Sequence, residues 1–252
     1  MCIKSINTKI RYTKLVPKIN HSEKISEKIF VDQLENWYTN KGYMTKREVN
    51  AGHGVADLVV TKLDKDQCKK RERNNQIKPL LKDKYFLALR YIPDIKDTKT
   101  PVDINYLIKR TGLSKNLLRY GILRELETNG YLLTLNKTTY KKINGWEPLS
   151  NEVVAVEAKL KDWKQGLLQA IRYNAFADYV YLAMPNLNNI DVERFKKFGI
   201  GLMLFHEGLG EPNIIIKAKK QRIISLDKRN LVLEYFWSKE IQYAECLANT
   251  SA

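Results

Sequence analysis

Residues 151–173 read NEVVAVEAKLKDWKQGLLQAIRY and hold the side chains best suited to chemistry. A short apolar run, Val153 to Val156, gives way to charge at Glu157 and Lys159. Its near-continuous hydrophobicity suits a strand buried on both faces. Strand residues two apart face the same side, so Glu157 and Lys159 stand together at the strand's end. A carboxylate and an ammonium are costly there unless they pair or bind something. Alone, they read as a plain ion pair at a sheet edge. Two features point further. Downstream, Gln165, Gln169 and Tyr173 recur at i, i+4 and i+8 and share one face of the following helix. Upstream, residues 54–60 (GVADLVV) carry Asp57 inside an apolar run. Asp57 and Glu157 meet if their two strands are neighbours.

An Asp, then Glu-x-Lys, then a helix with Gln-x-x-x-Tyr resembles the PD-(D/E)xK, or restriction-endonuclease-like, nuclease superfamily, over roughly residues 22–62 and 150–207. Asp57 matches the motif's Asp, with Ala56 where Pro is common. Glu157 and Lys159 match (D/E)xK, and Gln169 and Tyr173 match the QxxxY helix of RecB-like members. The resemblance implies phosphodiester hydrolysis with Mg²⁺, for which Mn²⁺ would substitute. Asp57, Glu157 and the carbonyl of Ala158 would be its ligands. Mg²⁺ keeps several waters, so one or two carboxylates suffice. Lys159 would orient or activate the attacking water or neutralise the transition state, with a pKa lowered by the metal and low-dielectric walls. Gln169 and Tyr173 would position the water or the DNA backbone. The family's first helix often supplies a glutamate. Glu27, on the stripe of Phe30, Val31, Leu34, Trp37 and Tyr38 in a helix expected from Ser22, is the best match, and Glu23 is its competitor. Either acid also suits the first turn of a helix for its charge alone.

The elements that must position these residues fall into two groups. Residues 43–49, 55–60, 153–156, 177–185, 200–205 and 214–218 read as strands. Residues 165–173 and 192–198 are expected to be helices between the strands from 153 to 205, with a final helix at 231–241. That β-α-β alternation suits a mixed α/β core. Between the two carboxylates lies something else. Residues 62–76 (KLDKDQCKKRERNNQ) look like a solvated linker. Then come helices at 85–91, 102–109 and 115–128, and a hairpin at 132–142 turning at Asn136-Lys137. Helix, helix, turn, helix, hairpin resembles a winged helix-turn-helix. The resemblance places Ser114, Lys115, Asn116 and Arg119 on the DNA-facing third helix and Lys137, Lys141 and Lys142 on the wing. The expected fold is therefore α/β: a restriction-endonuclease-like mixed sheet flanked by helices, from residues 1–68 and 147–252, with a winged-helix domain inserted at 69–146.

Charge and composition narrow the partners. The 252-residue chain carries 44 Lys+Arg against 28 Asp+Glu, a formal net charge of +16. Residues 69–146 hold 18 Lys+Arg and 7 Asp+Glu, so +11 of that surplus sits in the intervening segment. Phosphate binding needs such a concentration. Cys2, Cys68 and Cys246 have no metal-ligand or disulfide-framework spacing. That usage suits a reduced, cytoplasmic setting. The N-terminal residues MCIKSINTKIRYTK lack the apolar stretch of a signal peptide, and no run approaches a membrane span. The expected function is a Mg²⁺-dependent DNA endonuclease acting on duplex DNA, as a homodimer or with a partner protein. A non-catalytic DNA-binding regulator on a nuclease scaffold, a Holliday-junction-type resolvase and an RNA nuclease share the same residues.

Overall fold

The computed structural model describes residues 26–52, 54–187, 189–205 and 211–250. The basic N-terminal stretch, Glu23 and His53 lie outside the described residues.

A six-stranded mixed sheet forms the larger body. Its strands are β1 (Met44–Asn50), β2 (Val55–Thr61), β6 (Val153–Ala158), β7 (Tyr179–Met184), β8 (Gly201–Leu204) and β9 (Asn213–Ile216), side by side in that order. β6, β7 and β8 run parallel, joined by helices α6 (Trp163–Tyr173) and α7 (Val192–Phe198), while the other pairings are antiparallel. Strand alternation sorts the buried side chains. Val153, Ala155, Val180 and Leu182 meet Leu167, Ala170 and Tyr173 of α6 and Phe195 of α7 on one face. Val154, Val156, Tyr181 and Ala183 meet Phe30, Leu34 and Tyr38 of α1 (Glu27–Asn40) on the other. The mixed sheet flanked by helices follows the sequence expectation.

A separate core lies between β2 and β6 in the chain. α2 (Lys65–Arg73), α3 (Asp83–Tyr91), α4 (Ile104–Thr111) and a third helical stretch precede a hairpin, β4 (Leu132–Leu135) and β5 (Thr139–Lys142). That third stretch is π-helical over Leu117–Leu123 and continues as α5 (Arg124–Thr128). The two-residue β3 (Val102–Asp103) joins the hairpin in the order β3-β5-β4. Phe86, Leu89, Leu107, Leu118, Ile122, Leu126 and Tyr140 fill this core. Asn136 and Lys137 turn the hairpin at positive φ, 48° and 63°.

The expected solvated linker at 62–76 is instead the helix α2, and a domain boundary at 68/69 would cut through it. Arg71 is fully buried there. It pairs with Glu234 of α8 (Leu226–Thr250), donates to the Gln76 carbonyl at 3.0 and 3.2 Å, and bonds the Tyr131 hydroxyl. Glu234 also accepts from Leu80 N at 2.7 Å and Trp146 Nε1 at 2.6 Å. The Arg71 guanidinium lies over the Trp237 ring at 5.0 Å. α8 also sends Val232, Leu233 and Phe236 into the sheet's core and Leu231 into the second core, so this helix ties the two together.

Candidate functional site

Register brings the carboxylates together. Leu58 pairs with Val156, and one step further the same antiparallel ladder sets Asp57 opposite Glu157. Both point to the α6 face, and so does Lys159 by alternation. The Asp57 carboxylate accepts from Ala158 N–H at 2.7 Å. N–H and C=O of one strand residue project to the same lateral side, so the Ala158 carbonyl also faces the β2 side. Lys159 is anchored through its own N–H to the Ala183 carbonyl at 3.0 Å, and its ammonium stands 3.0 Å from Glu157 Oε1.

Helix α6 closes the site from above. Asp162 caps it by accepting from Gln165 N. Gly166 lets it approach: a Cβ there would stand 2.7 Å from Leu182 Cδ1 and 2.8 Å from Lys159 Cγ. Two turns later, the Tyr173 hydroxyl lies 2.6 Å from Glu157 Oε2 and 2.6 Å from the Val55 carbonyl. Gly54, at φ 113°, lets the β1–β2 turn pass beside the Tyr173 ring. Gln169 lies on the same helix face, and its Oε1 is buried without a hydrogen-bond donor. Gln165 is exposed, and Trp163 packs on Phe195.

Glu157 is almost wholly buried, at 1% exposure. Its Oε2 shares the single Tyr173 proton with a competing carbonyl. Its Oε1 has the charge of Lys159 beside it but no aligned hydrogen bond. Burial pushes the Glu157 pKa up, Tyr173 opposes this, Asp57 adds to it, and Lys159 pulls it down. Asp57 is also raised, by burial first, against the Ala158 N–H and Lys159. Burial and the neighbouring Glu157 hold the Tyr173 phenol well above its ordinary value, so it remains a proton donor.

The expectation for Lys159 concerns the metal-bound site; the carboxylates by themselves act the other way. Burial acts to lower its pKa, but Glu157, Asp57 and Glu27 together raise it. As it stands, Lys159 is a firm cation rather than a poised base. Glu27 is not on the buried side of α1 as its spacing suggests. It is exposed in the first turn, after the Ser26 cap, because the apolar stripe begins only at Phe30. Its charge still reaches Asp57 and Lys159.

Sequence reasoning missed Glu48. Arg47 pairs with Leu58 and Val49 with Ala56, which sets Glu48 opposite Asp57 on the far side from Glu157. It is exposed, its φ is 51°, and its charge helps raise Asp57. A φ of that sign is uncommon for a residue with a side chain and is strained within a strand. Pairing β1 with β2 outward from the Gly52–Gly54 turn would have found this position.

The donors suit a hard divalent cation: carboxylate and carbonyl oxygens, an underserved buried oxygen, and carboxyl groups burdened by burial and mutual repulsion. Among the described residues no three His, Cys, Asp or Glu side chains converge as a metal cage. Mg²⁺ or Mn²⁺, which retain waters, need none.

On the second core, Lys115, Asn116, Arg119 and Lys137 are exposed. Ser114 is exposed too, with its Oγ capping the Leu117 N–H at 3.4 Å. Lys141 and Lys142 do not stand out from the hairpin as expected. Lys141 is 9% exposed and its ammonium donates to the Asp97 carbonyl at 2.7 Å, while Lys142 reaches the Leu89 carbonyl at 3.4 Å. Both secure the hairpin to the 93–101 loop and α3.

No protein-family model and no curated protein matches this sequence. Among solved structures, a Silicibacter pomeroyi protein of unknown function aligns at 16% identity and a TM-score of 0.28, over 40% of this chain and 66% of that one. Similarity at that level carries no argument about fold or activity. No helix among the described residues is long and apolar enough to cross a membrane.

Proposed function

We propose that the chain is a divalent-metal-dependent DNA nuclease of the PD-(D/E)xK type, with a winged-helix segment between its two metal-binding strands. The in-register pair Asp57–Glu157, with Lys159 and Tyr173 fixed against it, is the observation that carries the reading. Asp57, Glu157 and the Ala158 carbonyl would hold Mg²⁺ or Mn²⁺. Bound there, the cation would lower the pKa of a water and offset charge on the phosphate. Lys159 orients or activates that water, or stabilises charge building on the phosphoryl oxygens. Tyr173 holds Glu157 in its rotamer, and the open Oε1 of Gln169 is free to take a hydrogen bond from water. Glu27 and Glu48 flank the pair and deepen its negative field.

Three observations support DNA binding by the second core. The helix order with a β3-β5-β4 sheet resembles the order expected of a winged helix. The surplus of positive charge is concentrated there. Lys115, Asn116 and Arg119 lie exposed on the third helix. The test is cleavage of supercoiled plasmid, linear duplex and a four-way junction with Mg²⁺, Mn²⁺ or EDTA, wild type beside Glu157→Gln. Cutting that needs the metal and vanishes in the variant is expected. Cutting that persists in EDTA or in Glu157→Gln would overturn the reading. Salt-sensitive binding with no cutting would favour a regulator on this scaffold.

A further inference from the structure

The third helix of the second core carries a feature that duplex binding alone does not explain. Tyr120 is 63% exposed, the most exposed aromatic side chain among the described residues. It sits in the π-helical stretch Leu117–Leu123. Such stretches are rare and recur at functional sites. On the inner side, Leu118, Ile122 and Leu123 are buried; on the outer side, Lys115, Arg119, Tyr120 and Arg124 are all exposed. The ion pairs around this helix, Lys82–Glu125 and Lys228–Asp83, leave Arg119 and Arg124 out. Beside Tyr120 the surface dips into a depression of about 270 Å³, lined by Lys78, Arg124, Glu125, Thr128 and Asn129. Its one acid, Glu125, is already bonded by the Tyr85 hydroxyl and faces Lys82. The depression therefore offers an aromatic face, an uncommitted guanidinium and an ammonium.

Inside an intact duplex the base faces are stacked and closed to a side chain. A lone aromatic ring among cations suits an unstacked base, whose π-face it covers while the cations take the flanking phosphates. We infer that Tyr120, Arg124 and Lys78 form a subsite for an unpaired DNA base, so that the preferred substrate carries a bulge, mismatch or junction rather than uninterrupted duplex. This rests on the DNA-binding reading above and narrows its substrate class.

The experiment is anisotropy of the full chain, in EDTA so that nothing is cut, on three labelled DNAs. These are an intact duplex, the same duplex with one unpaired 2-aminopurine, and the single strand. Wild type is expected to bind the bulged duplex about tenfold more tightly than the intact one and to quench the 2-aminopurine. Tyr120→Ala should erase that preference and the quenching, Tyr120→Phe should keep both, and neither should change the circular dichroism spectrum. Equal affinity for bulged and intact duplex in wild type, or an unchanged preference in Tyr120→Ala, would overturn the subsite while leaving duplex binding standing. No binding to any DNA would overturn the DNA-binding reading itself and the subsite with it.

Discussion

Two buried glutamates, each beside a cation and a tyrosine, are bonded very differently. Glu234 accepts from Arg71, Leu80 N–H and Trp146, and the Arg71 guanidinium spends its remaining donors on Gln76 and Tyr131 and lies over Trp237. Each of its carboxylate oxygens has two donors close by. Glu157 has a shared tyrosine proton, an unaligned ammonium and Asp57 directly opposite. Burial is equal in the two; residual bonding capacity is not. A buried charge with its donors complete holds a fold together. One left short of donors, next to a like charge, has a place for a ligand.

The difference is open to direct attack. The largest effect should come from Lys159→Ala, which on the proposed reading removes the cation that meets the scissile phosphate. Cleavage should fall by about 10²- to 10⁴-fold at a temperature where the variant is still folded, a loss beyond the stability cost of leaving Glu157 without its cation. A variant that cuts at the wild-type rate would remove Lys159 from the site. Next is Glu234→Gln, which strips Arg71 of its buried counter-charge. Urea unfolding should show a loss of about 3–5 kcal/mol, unaffected by metal. A loss below about 1 kcal/mol would mean that the closed network is not what joins the two cores.

A pH series sharpens the contrast. Glu157 and Asp57 have folded-state pKa values raised above those of the unfolded chain. Between the two values the folded state holds the extra proton, so metal-free stability falls as pH rises. Below the unfolded value the penalty is absent; above the folded value it is complete. As pH rises above the ordinary carboxylate range, wild type should lose stability relative to Glu157→Gln. Parallel curves would show that Glu157 is not under strain. The smallest effect concerns the surface. Lys115→Ala and Arg119→Ala should each lower the salt slope of DNA binding by about one, whereas Lys141→Ala should leave it alone. An equal loss in Lys141→Ala would put that lysine on the DNA after all.

The sheet and its pair of carboxylates were legible because their signals are local. Apolar runs, Glu-x-Lys at strand spacing and Gln-x-x-x-Tyr at helix spacing need no distant partner to be read. The Arg71 cluster was not, since KKRER reads as a solvated face until Glu234, far along the chain, is brought to it. Lys141 and Lys142 looked like wing residues because alternation alone does not reveal the Asp97 and Leu89 carbonyls they serve. Glu27 was given a buried place by extending a stripe one turn past its end. Glu48 needed the β1–β2 register, which spacing from the glycine turn could have supplied. The upward pull of the carboxylates on Lys159 was not legible, because three of them, from three elements, act on it at once.

The most direct test is a calorimetric Mn²⁺ titration of wild type, Glu157→Gln and Glu234→Gln, each confirmed folded at the temperature used. Wild type and Glu234→Gln should bind the ion alike, and Glu157→Gln should lose binding by at least about tenfold. Equal binding by wild type and Glu157→Gln would contradict the claim that this buried carboxylate is kept short of donors for a cation.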